Sequence, residues 1–78
     1  MTNLEGHIKQ RIIDQLRLPM EDLDPRQSFS DLGADSLDLS ELLISFEQTF
    51  GVRIPPESAQ NLRTVGNAID FIVSARAK

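Results

Sequence analysis

The chain has no cysteine, no tryptophan and no tyrosine, and its 78 residues include a single histidine. Without cysteine, neither a disulfide nor a thiolate zinc site can stabilise the fold. A domain this small must then depend on an economical apolar core, and helices packed through short-range contacts provide one. We therefore expect a single domain over residues 1–78.

Basic residues are also scarce, since 8 Lys and Arg stand against 12 Asp and Glu and give a formal net charge of −4. Nucleic acid requires a basic face, so this class of partner is not expected. No apolar run approaches the roughly 20 residues that span a bilayer, and no charged-then-apolar leader pattern opens the chain. The expectation is a cytoplasmic monomer that does not insert into membranes.

The hydrophobic pattern predicts an all-α fold, a small bundle of three main helices and one short helix with a long loop between the first and second helices. Thr2 and Glu5 have the spacing of a capping box, which places the start of the first helix near Thr2. Pro19 disfavours helical geometry at Leu18, so this helix is expected to end near Arg17. Apolar residues recur every fourth position along one face, at Leu4, Ile8, Ile12 and Leu16 with Ile13 beside them.

A long connection follows, from Leu18 to Ala34, and loops of this length in small domains are usually functional or held by the core. Leu23, Phe29 and Leu32 are the expected anchors. The second helix is expected to begin after Asp35 as its N-cap and to end at Gly51. Its core-facing stripe comprises Leu39, Leu42, Leu43, Phe46 and Phe50.

Two further helices are expected after an extended segment. Pro56 is suited to start a short helical turn over residues 56–61. Thr64 is the expected N-cap of the last helix. That helix is expected to bury Val65, Ala68, Ile69, Ile72 and Val73.

The most informative segment is Asp31-Leu32-Gly33-Ala34-Asp35-Ser36-Leu37-Asp38. It places the hydroxyl of Ser36 at the surface on the first helical turn, with no histidine, lysine or cysteine near it in sequence to act as a base. Ser36 is therefore expected to be modified and not to attack a substrate. A serine hydrolase is excluded, because His7 belongs to the first helix and the chain is too small for a pocket with an oxyanion hole.

A calcium loop over residues 31–42 is also excluded, and no metal site is expected. The sixth position of such a loop would be Ser36 instead of glycine, and the twelfth would be Leu42 instead of glutamate.

One side of the second helix lies outside its core-facing stripe. Leu37 and Ile44 are seven residues apart and lie away from the core stripe, with Glu41 on the same side and Asp38 and Glu47 at its margins. An apolar pair among acidic residues is typical of a partner surface. The charge would steer a basic partner towards Ser36, and salt would weaken this effect. The alternative is a solvated helix face.

The eight-residue segment around Ser36 resembles the modification motif of acyl carrier proteins, and the similarity continues through Phe46-Glu47, Ile54-Pro55 and residues 64–72. The resemblance implies that Ser36 carries 4′-phosphopantetheine, transferred from coenzyme A by a magnesium-dependent phosphopantetheinyl transferase. The thiol of this arm would hold acyl groups as thioesters, so the chain would be a carrier and not an enzyme.

The resemblance also implies positions for partners and cargo. Partner enzymes, acyltransferases or synthases with basic docking patches, would contact Asp35, Leu37, Asp38, Glu41, Ile44 and Glu47. Candidates to line a pocket for the acyl chain are Leu42, Phe46, Ile54 and Ile69, with core packing as the alternative for each.

Some positions depart from the family pattern. Gln48, Thr49 and Pro56 stand where carriers of fatty acid synthesis usually have acids, which favours a specialised carrier over a housekeeping one. An aminoacyl carrier of the D-alanyl or peptidyl type stays open, although Ala34 replaces the glycine usual in peptidyl carriers. The third hypothesis is an unmodified helical interaction domain.

Overall fold

The computed structural model describes residues 4–19 and 22–76, and this part of the chain folds into four α-helices. They are α1 (Leu4–Leu16), α2 (Ser36–Phe50), α3 (Pro56–Ala59) and α4 (Val65–Arg76). α1 packs against both α2 and α4. The expected all-α bundle of three long helices and one short one is confirmed. None of the helices described is long and apolar enough to cross a membrane.

One side of each long helix forms the core. The predicted stripes of α1 and α2 are confirmed, with their marginal members Leu4, Leu16, Leu39 and Leu43 only partly buried. The prediction for Val73 is wrong, since 43% of it is exposed. Val73 follows Ile72, and one helical step of about 100° turns it away from the core. The buried residues of the three long helices are Ile8, Ile12, Ile13, Leu42, Phe46, Phe50, Val65, Ala68, Ile69 and Ile72.

α1 ends at Leu16 through a left-handed residue. Arg17 has φ 55°, and the Leu18 N–H donates to the Ile13 carbonyl at 3.0 Å, as in a Schellman motif. Pro19 therefore indicates the end of the helix correctly, but the backbone reverses at Arg17. The predicted start near Thr2 lies outside the residues described.

The end of α2 and the start of α4 follow the predicted caps, whereas the short helix predicted over residues 56–61 already ends at Ala59. Gly51, at φ 65°, closes α2 and its N–H donates to the Glu47 carbonyl at 3.0 Å. Thr64 caps α4, because its hydroxyl accepts a hydrogen bond from the Asn67 N–H at 3.0 Å. In return Asn67 Oδ1 accepts from the Thr64 N–H at 3.1 Å. Two orphan N–H groups at this helix start are thus satisfied reciprocally.

The loop between α1 and α2 is held by the core and by the start of α4. Leu23 and Phe29 are buried as expected, while Leu32 is only partly buried. The Phe29 N–H donates to the Arg63 carbonyl at 3.0 Å, and Ser28 and Thr64 form an isolated antiparallel bridge. These contacts bring residues 28–35 beside residues 62–64.

The same loop is attached to α1 through Asp22. Its Oδ1 accepts hydrogen bonds from Lys9 Nζ at 3.1 Å and from the Leu23 N–H at 2.8 Å. Lys9 also pairs with Glu5 one turn earlier on α1, at 3.3 Å. The long loop is therefore tied to the bundle on both sides.

Candidate functional site

The first turn of α2 begins with a reciprocal cap formed by two carboxylates. Asp35 Oδ1 accepts from the Asp38 N–H at 2.8 Å, and Asp38 Oδ2 accepts from the Asp35 N–H at 3.3 Å. Before it, Gly33 has φ 86°, in the left-handed region that glycine adopts without strain. The Ala34 N–H donates to the Phe29 carbonyl at 3.0 Å, which closes this turn. The direction in which α2 starts is thus fixed by local hydrogen bonds.

Ser36 is the first residue of α2 and is exposed. Its hydroxyl makes no hydrogen bond to any other residue described in the structure. The N–H groups of a first helical turn have no partner within the helix and, with the helix dipole, favour an anion by about 0.3–1 kcal/mol. The site therefore suits a phosphate attached to Ser36 Oγ, although the carboxylates of Asp35 and Asp38 oppose its charge.

An open groove with a volume of about 430 Å³ is lined by Ser36 together with residues of the loop, α2 and the segment around α3. Its walls are mainly apolar, so it can receive the carbon atoms of a chain attached to Ser36. The lining residues are Ser28, Phe29, Ser30, Ala34, Asp35, Ser36, Leu39, Ala59, Gln60, Leu62 and Arg63.

Sequence reasoning did not find this groove. Leu42, Phe46 and Ile69 are core residues, 0%, 0% and 6% exposed, and none of them lines it. The groove instead uses Leu62, which is only 4% exposed although it stands in a polar stretch after α3. A single leucine among polar residues is the sequence feature that could have indicated a groove wall here. The other lining residues come together only through tertiary contacts.

The predicted partner face of α2 is on the surface. Leu37 is 67% exposed and Ile44 is 53% exposed, and together they place an apolar pair on one exposed side of α2. Glu41 is exposed on the same side, and its carboxylate has no hydrogen bond or ion pair with another described residue.

Glu47 has a structural role that its sequence position did not indicate. It is half-buried, and its Oε2 accepts a hydrogen bond from the Ile54 N–H at 2.9 Å. The carboxylate thus holds the extended segment that follows α2. Its charge is less available to a partner than that of Glu41, because part of it is engaged by this N–H group.

Comparison with known proteins identifies the family. A family model described as the phosphopantetheine attachment site matches residues 7–72, a span that includes Ser36. An acyl carrier protein of Sinorhizobium fredii is 44% identical over 78 residues, which cover 99% of this chain and all of the relative. The chain belongs to the acyl carrier protein family. Domains of this family are sites of covalent 4′-phosphopantetheine attachment, and its members are carriers without catalytic activity.

Solved structures of acyl carrier proteins share the fold. The one from Thermotoga maritima has a TM-score of 0.79 at 28% identity, covering 92% of this chain and 85% of its own. The one from Enterococcus faecalis has a TM-score of 0.77 at 29% identity and covers 92% of both chains. The helical arrangement around Ser36 is therefore similar to that of carriers whose structures are known.

Proposed function

We propose that residues 1–78 act as one carrier domain in which Ser36 Oγ bears 4′-phosphopantetheine. The observation that carries this proposal is the position of Ser36 at the start of α2. The residue is exposed, its hydroxyl is free of hydrogen bonds to described residues, and it lines a mainly apolar groove. A hydroxyl placed in this way can enter the active site of a modifying enzyme without any change in the core.

The attachment is a phosphoryl transfer from coenzyme A. Ser36 Oγ would form a bond to the phosphorus that carries the pantetheine arm, the phosphoanhydride bond would break, and adenosine 3′,5′-bisphosphate would leave. The transferase must supply the base and the magnesium ion, because the side chains that lie with Ser36 along the groove include no histidine or lysine. The arm supplies a thiol, which a chain without cysteine lacks. Acyl groups would then be carried on that thiol as thioesters.

The partner surface would be the exposed side of α2. Leu37 and Ile44 would contact apolar residues of partner enzymes, while acids beside them would meet basic docking patches. The proposed partner surface comprises Asp35, Leu37, Asp38, Glu41, Ile44 and Glu47. Gln48 and Thr49 are uncharged at positions where carriers of fatty acid synthesis usually have acids. This difference favours a specialised set of acyltransferases or synthases as partners over the housekeeping enzymes of fatty acid synthesis. We place the carrier in the cytoplasm as a monomer.

Intact mass measurement tests the attachment site. The chain is incubated with coenzyme A, magnesium and a broad-specificity phosphopantetheinyl transferase, and the wild type is expected to gain one phosphopantetheine. Ser36→Ala should gain none while keeping its helical circular dichroism, since the change removes one exposed hydroxyl and no core contact.

Ser40→Ala is the matched control. Ser40 is an exposed serine one turn further along α2, and its replacement should leave loading intact. A folded wild type that takes up no arm would support an unmodified interaction domain instead, and loading of Ser36→Ala would place the attachment elsewhere.

A further inference from the structure

Arg63 is the one cationic side chain among the described residues that line the groove beside Ser36. It is exposed and stands between α3 and the Thr64 cap of α4. The other polar residues along the groove carry hydroxyl or amide groups, apart from the carboxylate of Asp35. Any negative charge brought into this groove therefore meets a single positive group.

The backbone of Arg63 is fixed from two directions. Its N–H donates to Asn67 Oδ1 at 3.2 Å and to the Asn61 carbonyl at 3.1 Å. Its carbonyl accepts from the Phe29 N–H at 3.0 Å, and Phe29 belongs to the turn that leads into Ser36. The base of the Arg63 side chain is thus held at a set position relative to the loop before α2.

The guanidinium of Arg63 forms no ion pair with any acid in the described part of the chain, where the ion pairs involve Lys9 and Arg26. The acids nearest to Ser36 in sequence do not compete for it, because Asp35 and Asp38 accept each other's N–H groups in the cap of α2. Arg63 is therefore available to a ligand that carries negative charge.

We propose that Arg63 binds the phosphodiester of the arm on Ser36, an inference that rests on the function proposed above. A phosphodiester has two free oxygens that share one negative charge, and the planar fork of a guanidinium matches them with two N–H donors. The carboxylates of Asp35 and Asp38 repel the same phosphate from the α2 side. Arg63 and Asp35 both line the groove, so Arg63 would attract the phosphate against the repulsion of Asp35. Asp38 does not line the groove, and its repulsion would add to the attraction of Arg63 in drawing the arm over the apolar walls.

Nuclear magnetic resonance of the loaded protein tests this contact directly. The wild type, Arg63→Gln and the control Arg53→Gln are loaded with the arm, and intact mass confirms one arm per chain. Arg53 is also exposed, but it lines a different groove with Pro55 and Phe71. In the wild type we expect the Nε–H resonance of Arg63 to shift on loading and that of Arg53 to stay in place. The ³¹P resonance of the arm should move in Arg63→Gln and not in Arg53→Gln.

Thermal unfolding supplies a second readout. Loading adds a negative charge beside two carboxylates, and in Arg63→Gln this charge has no cationic partner. The change in Tm on loading should therefore be less favourable in Arg63→Gln than in the wild type or Arg53→Gln, by about 2–4 °C at low salt. The difference should shrink in about 0.5 M salt. Arg63→Lys, which keeps the charge without the fork, should give an intermediate value.

Two results would overturn the proposal, and they are distinguishable by mass. If the wild type carries one arm but the Arg63 Nε–H and ³¹P resonances respond as they do for the Arg53 control, Arg63 does not bind the phosphate and the carrier function stands. If the folded wild type takes up no arm, the proposed function fails and the role of Arg63 fails with it.

Discussion

Asp35 lies directly before Ser36, and its carboxylate both caps α2 and adds negative charge next to the hydroxyl. The first effect stabilises the helix that presents Ser36. Under the proposed function the second would oppose the phosphate of an attached arm but attract a basic transferase. Capping alone requires only an acceptor oxygen, so the proposed recognition would explain why the cap is a carboxylate.

Substitutions of Asp35 separate the two effects. Asp35→Ala removes the cap and should lower the free energy of unfolding by about 1 kcal/mol, whereas Asp35→Asn keeps an acceptor oxygen and should change it by only a few tenths. Both variants lose the charge, so both should be loaded more slowly by the transferase at low salt. Urea unfolding and loading rates measure the two quantities. Equal destabilisation by alanine and asparagine would contradict the capping role.

The features predicted correctly from the sequence are those that depend on residues close together in the chain. The Asp35 cap, the Gly51 stop and the outward position of Leu37 and Ile44 follow from residue type and helical period. Arg17 was not foreseen as a left-handed residue, because that conformation usually selects glycine. Glu47 accepts from the Ile54 N–H in the extended segment after α2, and the Arg63 carbonyl accepts from Phe29 in the distant loop. No helical period or capping pattern indicates either contact.

At the scale of elements, the loop between α1 and α2 is attached to α1 by hydrogen bonds of Asp22 that the sequence pattern does not predict. The Leu23 N–H and, secondly, Lys9 hold the pKa of Asp22 below its ordinary value of 3.8. The pKa of Lys9 is raised, chiefly by its hydrogen bond to Asp22. The burial of Leu23 and Phe29 was predictable from their isolated apolar character, but the polar tie between α1 and the loop was not.

Asp22→Asn should make this tie measurable through its pH dependence. Because the folded-state pKa of Asp22 is depressed, its stabilising contribution is present above about pH 3.8 and is lost as pH falls through the lower folded-state value. The wild type should therefore exceed the variant in urea midpoint between about pH 5 and 8, and this difference should shrink as the pH falls below about 3.8.

Asp70→Asn is the control for this measurement. Asp70 is exposed on α4, and its carboxylate has no hydrogen bond or ion pair with the rest of the described chain. Its replacement should leave the urea midpoint close to that of the wild type at each pH. A gap between the wild type and Asp22→Asn that persists unchanged to pH 2 would show that the tie does not depend on ionised Asp22.

At the scale of the whole molecule, charge is distributed unevenly around a net value of −4. Asp31, Asp35, Asp38 and Glu41 lie before or on the first half of α2, and none of them has an ion pair in the part of the chain described. The ion pairs there belong to α1 and the first part of the loop. Arg63 in the groove with Ser36 and Arg17 in the hollow with Asp38 and Glu41 offset only part of this charge. The surface around Ser36 therefore has a net negative field, which extends about 10 Å into a solution of 0.1 M salt.

Glu41→Lys tests whether this field guides partners. The variant should be loaded by the transferase several-fold more slowly than the wild type at low salt, and most of this difference should vanish at about 0.5 M salt. Asp70→Lys changes the net charge equally but lies on α4, so its loading rate should fall much less. A loss for Glu41→Lys that is the same at both salt concentrations would indicate a lost contact and not steering.

The hydrogen bonds between residues 25–29 and 63–66 make the groove a product of long-range contact. They join segments about forty residues apart, and closing a chain segment of that length has an entropic cost that these contacts must offset. The groove takes Phe29 from one segment and Leu62 from the other, so it exists only where the two segments have met. An enzyme that requires both the serine and the groove would therefore act only on folded molecules.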